Sequence, residues 1–226
     1  MTFGSLRYRK PADLPAVVPV FPLNGVLLLP RGNLPLNIFE PRYLSMMEAA
    51  FRTDRLIVMV QPRFDAGEVD LAGNPPLCDI GCVGLVTAFQ ETQEGRCLIT
   101  LTGVSRVKLV EEMRSPTPYR MFRIDAEPFA ADFVSRLGED KVDRDAVIRT
   151  FRAFLDANDM EADWNSVEQA GNETLVNALS MMSPYGAPEK QALLEADSLK
   201  KRADTLIAIT EMTLAHKTGT DSRPLN

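Results

Sequence analysis

Hydrophobic positions fall into two regimes along the chain. In the first half they come in short runs, Val17 to Phe21, Val26 to Leu29, Leu34 to Phe39 and Leu56 to Val60, cut by Pro22, Asn24-Gly25, Pro30 and Gly32-Asn33. Apolar runs of that length, ended by Pro and Gly, predict small strands that fold back on one another. One interruption has a helical period: after Glu40, the residues Leu44, Met47, Ala50 and Phe51 share a face, and Pro41 suits a first helical turn, where its missing N–H costs nothing. Further β-type runs follow at Leu77 to Phe89, with Gly81 and Gly84 inside, at Arg96 to Val110, which pairs naturally as a hairpin with the previous run, and at Tyr119 to Pro128. The turn between the first two lies at Gln90 to Gly95, and Arg63 to Pro76 has loop chemistry.

From about Gly138 the period changes to that of helices. Val147, Phe151, Phe154 and Leu155 form one amphipathic stripe. A short helix is expected around Trp164, another over Glu173 to Met182 with Leu175, Val176, Leu179 and Met182 inward, and another from Pro188. The longest is capped by Asp197 or Ser198 and has Leu199, Ala203, Leu206, Ile207, Thr210 and Leu214 on its inner face. The strand, strand, strand, helix, strand order before Pro62 is too tight for repeated βαβ crossovers, which predicts an α+β protein. The expected divisions are a mobile lead-in at 1–14, a β subdomain with one helix over 15–130, a helical bundle over 131–216 and a frayed tail at 217–226.

Several fixed spacings agree together in the organising stretch. Phe21-Pro22-Leu23, Leu29-Pro30, Leu34-Pro35-Leu36, Ile38-Phe39-Glu40-Pro41-Arg42-Tyr43 and Val60-Gln61-Pro62 resemble the signature of the N-terminal, substrate-binding domain of Lon-type ATP-dependent proteases. The likeness continues more loosely through Gly81-Cys82-Val83-Gly84 and Gly103 into the helices after Asp140. It implies a PUA-like β pseudobarrel followed by a helical bundle, with a role in recognising polypeptide substrates or a protein partner. The motif residues Phe21, Pro22, Leu23, Pro30, Pro35, Phe39, Glu40, Pro41, Arg42, Tyr43, Gln61 and Pro62 are read as mainly structural. Full Lon proteases add an AAA-plus ATPase and a Ser-Lys protease, and no Gly-Lys dipeptide for a phosphate-binding loop occurs anywhere in this sequence. The expectation is therefore a stand-alone, non-enzymatic member of the group.

Composition narrows the function classes. With 226 residues, 45% hydrophobic and 25% charged, the chain can bury a substantial core and is not of disordered type. A net charge of −6 opposes broad attraction to phosphate backbones, so RNA binding, the alternative that a PUA-like fold suggests, is the second reading. No apolar stretch is long enough to span a bilayer, and the first residues lack a signal-peptide core, so a cytoplasmic protein is expected. Three cysteines, Cys78, Cys82 and Cys97, fit a reducing compartment better than a disulfide framework.

Candidate chemistry is sparse. A zinc site needs several converging ligands, and the one histidine, His216, lies far along the chain from Cys78 and Cys82, so no metal and no cofactor is expected. The same shortage weakens any Ser-His-Asp or Cys-His hydrolase; a Ser-Lys dyad stays open, and a hydrolase with an unrecognised Ser or Cys nucleophile is the third reading. In the Glu40 to Tyr43 cluster, Glu40 suits a helix N-terminus, accepting from backbone amides, with Arg42 free to pair a carboxylate. Peptide binding needs no such constellation, because strand edges and apolar pockets suffice. The candidate contact regions are the Arg63 to Pro76 loop, the Gln90 to Gly95 turn and the seam between the halves, with Arg63, Phe64, Gln90 and Tyr119 as candidate contact residues.

Overall fold

Six strands form one sheet that curls until it meets itself. The computed structural model describes residues 8–63, 74–93 and 95–220, with side chains as far as 216. The strands are β1 (Val17–Pro22), β2 (Asn33–Ile38), β3 (Leu56–Val60), β4 (Ile80–Glu91), β5 (Cys97–Met113) and β6 (Arg120–Asp125). Their order is β2-β5-β4-β3-β1-β6, and β6 also pairs with β5, so β1, β3, β4, β5 and β6 close a five-membered ring. Only β1 and β3 run parallel; the other pairs are antiparallel. The α+β class follows, with a helix, α1 (Pro41–Phe51), between β2 and β3.

Closure depends on β5, which changes partner along its length. Residues Cys97 to Lys108 face β4, and Lys108 to Met113 face β6, with a register shift after Leu109. Such shifts bend a strand and increase its twist. Inside the ring lie Val18, Val20, Val58, Val83, Val107 and Phe122, all buried. The β3 run is buried on both faces: Leu56, Val58 and Val60 join this core, and Ile57 and Met59 alternate away from it.

Two expectations change here. Val26 to Leu29 is not a strand, although Leu27, Leu28 and Leu29 are all buried. It runs as irregular chain into a turn anchored on β5, where Arg31 N–H donates to Gly103 O and Gly103 N–H to Gly32 O, both at 2.8 Å. The lead-in is packed over residues 8–14. Tyr8 is buried in the ring's core with its hydroxyl donating to Asp54 O at 3.1 Å, and a 3-10 turn, Pro11–Asp13, follows.

The remaining helices are α2 (Arg144–Asp156), α3 (Trp164–Gln169), α4 (Asn172–Met182), α5 (Ala187–Glu195) and α6 (Leu199–Thr220). The chain divides into two compact units, Met1–Ser135 with Pro184–Leu194, and Arg136–Ser183 with Glu195–Asn226. Almost all of α5 therefore belongs to the unit that holds the sheet. In the second unit α6 buries Leu199, Ala203, Leu206 and Thr210, as its periodicity predicts, and also Arg202, whose Nη1 donates to Asn177 Oδ1 at 3.0 Å. Helix α6 runs on to Thr220, through the first residues of the expected frayed tail. Met182, expected on the inner face of α4, is 73% exposed: it is the last residue of the helix, past its final packed turn.

Candidate functional site

Beyond the ring, the first residues of β5 are flanked on both sides. Cys97 to Thr102 pair with β2 on one edge and with β4 on the other, making a three-stranded wing whose outer strand, β2, has no further neighbour among the described residues. Strand alternation then decides what the wing presents. Cys97, Ile99 and Leu101 point inward and are buried, and Leu98 points outward, 41% exposed.

Cross-strand register collects the outward residues into rows. Asn37 of β2, Leu98 of β5 and Gln90 of β4 stand side by side; Pro35, Thr100 and Ala88 form the next row; Asn33 and Thr102 follow. The first two rows line an open groove of about 460 Å³, and none of the residues lining it is ionisable. In the third row hydroxyls and an amide are already engaged, with Thr102 Oγ1 donating to Asn33 Oδ1 at 2.8 Å and lying 2.9 Å from Thr87 Oγ1. Phe89, which also lines the groove and is 49% exposed, meets the ring of Phe51 edge-on at 4.7 Å between centroids. Phe39, immediately after β2, is 61% exposed.

The edge strand contains Pro35, which has no N–H to offer. Proline is tolerated in sheets mainly at such edges, and there it blunts pairing with further strands. The groove thus presents apolar surface, amides and hydroxyls on a rigid sheet, with its open edge partly closed to strand addition.

Pro35 lines the groove and Phe39 is exposed beside β2, and the other motif residues sit elsewhere. Phe21 packs on Tyr43 at 4.3 Å between ring centroids, and the Arg42 guanidinium lies over the Tyr43 ring at 4.5 Å. The Glu40 carbonyl accepts the Tyr43 and Leu44 N–H groups, but its carboxylate bonds to no backbone amide of α1, contrary to expectation. Its carboxylate instead accepts from Arg42 Nε at 3.0 Å and Nη2 at 2.9 Å, the shorter reach between two flexible side chains. Burial pushes the Tyr43 phenol above its usual range, with Arg42 opposing. Pro22 ends β1 opposite Val60, Leu23 N–H donates to Val60 O at 3.0 Å, and Pro62 bridges to Leu77. Gln61 is buried and fully bonded, accepting from Gly25 N–H at 3.1 Å and donating to Ala187 O at 3.0 Å and Gln191 Oε1 at 3.1 Å.

Of the contact residues expected from sequence, Gln90 lines the groove. Arg63 is exposed after β3, its N–H on Pro76 O at 2.8 Å, and Phe64 lies outside the described residues. Tyr119 immediately precedes β6, which pairs with the far end of β5, and it is not among the residues that line the groove with Gln90. Asn37 and Leu98 went unremarked; their signal was the alternation of β5 and the edge position of β2. In the barrel unit a second polar cluster was also missed: Arg106 and Asp132, both buried, form an ion pair with Nη2 and Oδ1 2.8 Å apart.

Reactive groups do not gather here. Among the described residues no set of three His, Cys, Asp or Glu side chains could hold a metal. Burial pushes the Cys97 thiol up, with Glu91 adding to the shift, the opposite of an activated nucleophile. His216 is exposed near the end of α6. No described helix is long and apolar enough to cross a membrane.

Comparison with known proteins gives a consistent result. Residues 17–211 match the family described as the ATP-dependent protease La (LON) substrate-binding domain. The Lon protease of Bacillus thuringiensis is 23% identical over 201 residues, 86% of this chain and 24% of that protein, and that of Anaeromyxobacter dehalogenans is 29% identical over 114 residues, 50% of this chain and 13% of that protein. The chain thus spans about a quarter or less of the Lon proteases it matches. Among solved structures, the N-terminal domain of Mycobacterium avium complex Lon protease has a TM-score of 0.63 at 16% identity, covering 86% of this chain and 98% of that one. The Lon N-terminal domain protein of Xanthomonas campestris has a TM-score of 0.59 at 17% identity, covering 85% and 97%.

Proposed function

The chain belongs to the substrate-binding domain family of ATP-dependent Lon proteases, and from that premise we propose that it is a non-enzymatic module that binds polypeptide segments and presents them to a proteolytic partner. The observation that carries the reading is the uncharged groove on the β2-β5-β4 wing. A protease's substrate is a polypeptide, whose main chain is neutral and whose apolar side chains are exposed when it unfolds. Apolar surface interleaved with amides and hydroxyls suits that ligand, and such binding needs no reactive centre.

The match stops at the substrate-binding portion of its relatives, which supports a role in recognition over one in catalysis. The closed ring supports the PUA-like reading of the barrel. Three cysteines, none of them in a disulfide, suit a reducing, cytoplasmic setting. The RNA reading finds less support, since a phosphate backbone asks for clustered Lys and Arg and none lines the groove.

The test is fluorescence anisotropy of the full chain with a fluorescein-labelled, unfolded, apolar peptide and, separately, a labelled RNA hairpin. Saturable peptide binding that Leu98→Asp weakens at least tenfold supports the proposal. Salt-sensitive capture of the hairpin with no peptide binding overturns it.

A further inference from the structure

We propose that Asn37 and Gln90 clamp the main chain of an extended polypeptide across Leu98, so that the groove reads peptide groups more than side-chain identity. This deepens the groove reading above and rests on it. The observation is the row itself: β5 places Leu98 in the middle, with Asn37 opposite it on one side and Gln90 on the other. Strands lie about 4.8 Å apart, so the two amide-bearing positions stand roughly 10 Å apart across β5. That is the gap one extended chain fills when it runs along β5 one layer above the sheet.

The chemistry fits in three respects. An extended backbone directs its N–H and C=O groups sideways, alternately to either flank, and a carboxamide offers a donor pair and an acceptor that answer both. The two amides are also at liberty: both side chains are exposed and make no hydrogen bond among the described residues, whereas Asn33 in the same face is held by Thr102. Finally, the neighbouring row of Pro35, Thr100 and Ala88 is built of small side chains, which leaves room for a side chain of the ligand beside Leu98.

The alternative geometry, addition of the ligand as a strand beside β2, is disfavoured by Pro35 in the middle of that six-residue edge. The occupant is thus an extended, uncharged polypeptide segment with apolar or small side chains, held by its backbone.

The experiment uses the full chain with two capped peptides of alternating Val and Thr, one ordinary and one carrying N-methyl groups at alternate backbone nitrogens. Binding is read by anisotropy, and location by NMR shifts of Leu98 and Ala88. The doubly substituted N37A/Q90A protein, whose changes are at exposed positions and should leave the melting temperature unmoved, is expected to lose on the order of tenfold in affinity for the ordinary peptide. N-methylation should weaken wild-type binding to a similar degree and leave the double variant little changed. If the ordinary peptide shifts the groove resonances yet N37A/Q90A binds as tightly as wild type, the clamp is overturned and the groove stands. If no groove resonance moves with either peptide, both readings fall.

Discussion

Arg106 holds Asp132 by three separate bonds: its backbone N–H and Nε both donate to Oδ2 at 2.9 Å, and Nη2 donates to Oδ1 at 2.8 Å. The remaining guanidinium nitrogen, Nη1, donates to Leu194 O at 3.2 Å, and the plane rests on Phe129 at 4.8 Å. The pair ties β5 to the 3-10 segment Glu127–Phe133 and to α5. Both side chains are buried, so removing either one leaves a desolvated charge. Asp132→Ala or Arg106→Met should each cost about 3–5 kcal/mol, and an apolar pair at both positions should recover much of that loss. Urea denaturation of the two single variants and the double variant measures it; equal losses in singles and double would refute the account.

Gly103 is required by the backbone that crosses it. A methyl group at this position would collide with the Leu29 carbonyl, coming within 2.7 Å of its carbon and 3.2 Å of Pro30 Cα. Backbone cannot swing aside as a side-chain tip can. Gly103→Ala should therefore destabilise by about 1–3 kcal/mol or more through overpacking. The control is Gly25→Ala, where φ is +70° and nothing lies within 4 Å, so only the left-handed backbone penalty of about 1–2 kcal/mol applies. Thermal melts should rank the two, with Gly103→Ala losing more and shifting the NMR resonances of Leu27 to Leu29.

These two sites also show what sequence can and cannot disclose. The Pro- and Gly-bounded runs at β1, β2 and β3 are legible because turn chemistry marks their ends, and α1 is legible from its period. Val26 to Leu29 misleads, because a short apolar run bears the same pattern whether it enters a ladder or lies as buried irregular chain. Arg106 is invisible for a related reason: a lone charge in a strand reads as solvent-facing, and its partner Asp132 is distant along the chain. Of the groove, Gln90 could be picked out as a turn-flanking residue, but its row with Leu98 and Asn37 exists only once three strands are in register.

Gln61 ties together distant parts of the chain through its side-chain amide. Its carbonyl accepts from Gly25 N–H, its amide donates to Ala187 O and Gln191 Oε1, and Gln191 passes a bond on to Ile80 O at 3.1 Å. Gln61→Leu preserves volume but orphans several buried groups, each costing about 1–3 kcal/mol when unmet. The expected outcome is a loss of stability with faster hydrogen exchange in α5, seen site by site by NMR. Unchanged exchange in α5 would show that the helix is held by packing alone.

Acid sensitivity of the helical unit should trace largely to Glu139. Its Oε1 accepts the Glu173 N–H at 2.9 Å near the start of α4, and its Oε2 accepts from Arg136 Nε at 2.7 Å. In return, Glu173 Oε2 accepts the Arg136 N–H at 2.8 Å, so the two loops are cross-stitched. The Glu173 amide first, then Arg136, hold the Glu139 carboxyl below its ordinary value of 4.5. A carboxylate depressed in the folded state contributes stability above its unfolded pKa and loses it as pH falls through the folded pKa. Stability should therefore drop as pH is lowered past about 4.5. Asp163, also held below its usual value by its bonds to Ser166, adds an acid response of the same sign, so wild type must be compared with Glu139→Gln and not judged by itself. The Gln variant should start lower at neutral pH and show a shallower acid decline, converging with wild type at the acid end. Melting temperatures between pH 7 and about pH 3 check it; parallel curves would assign the acid response to other carboxylates.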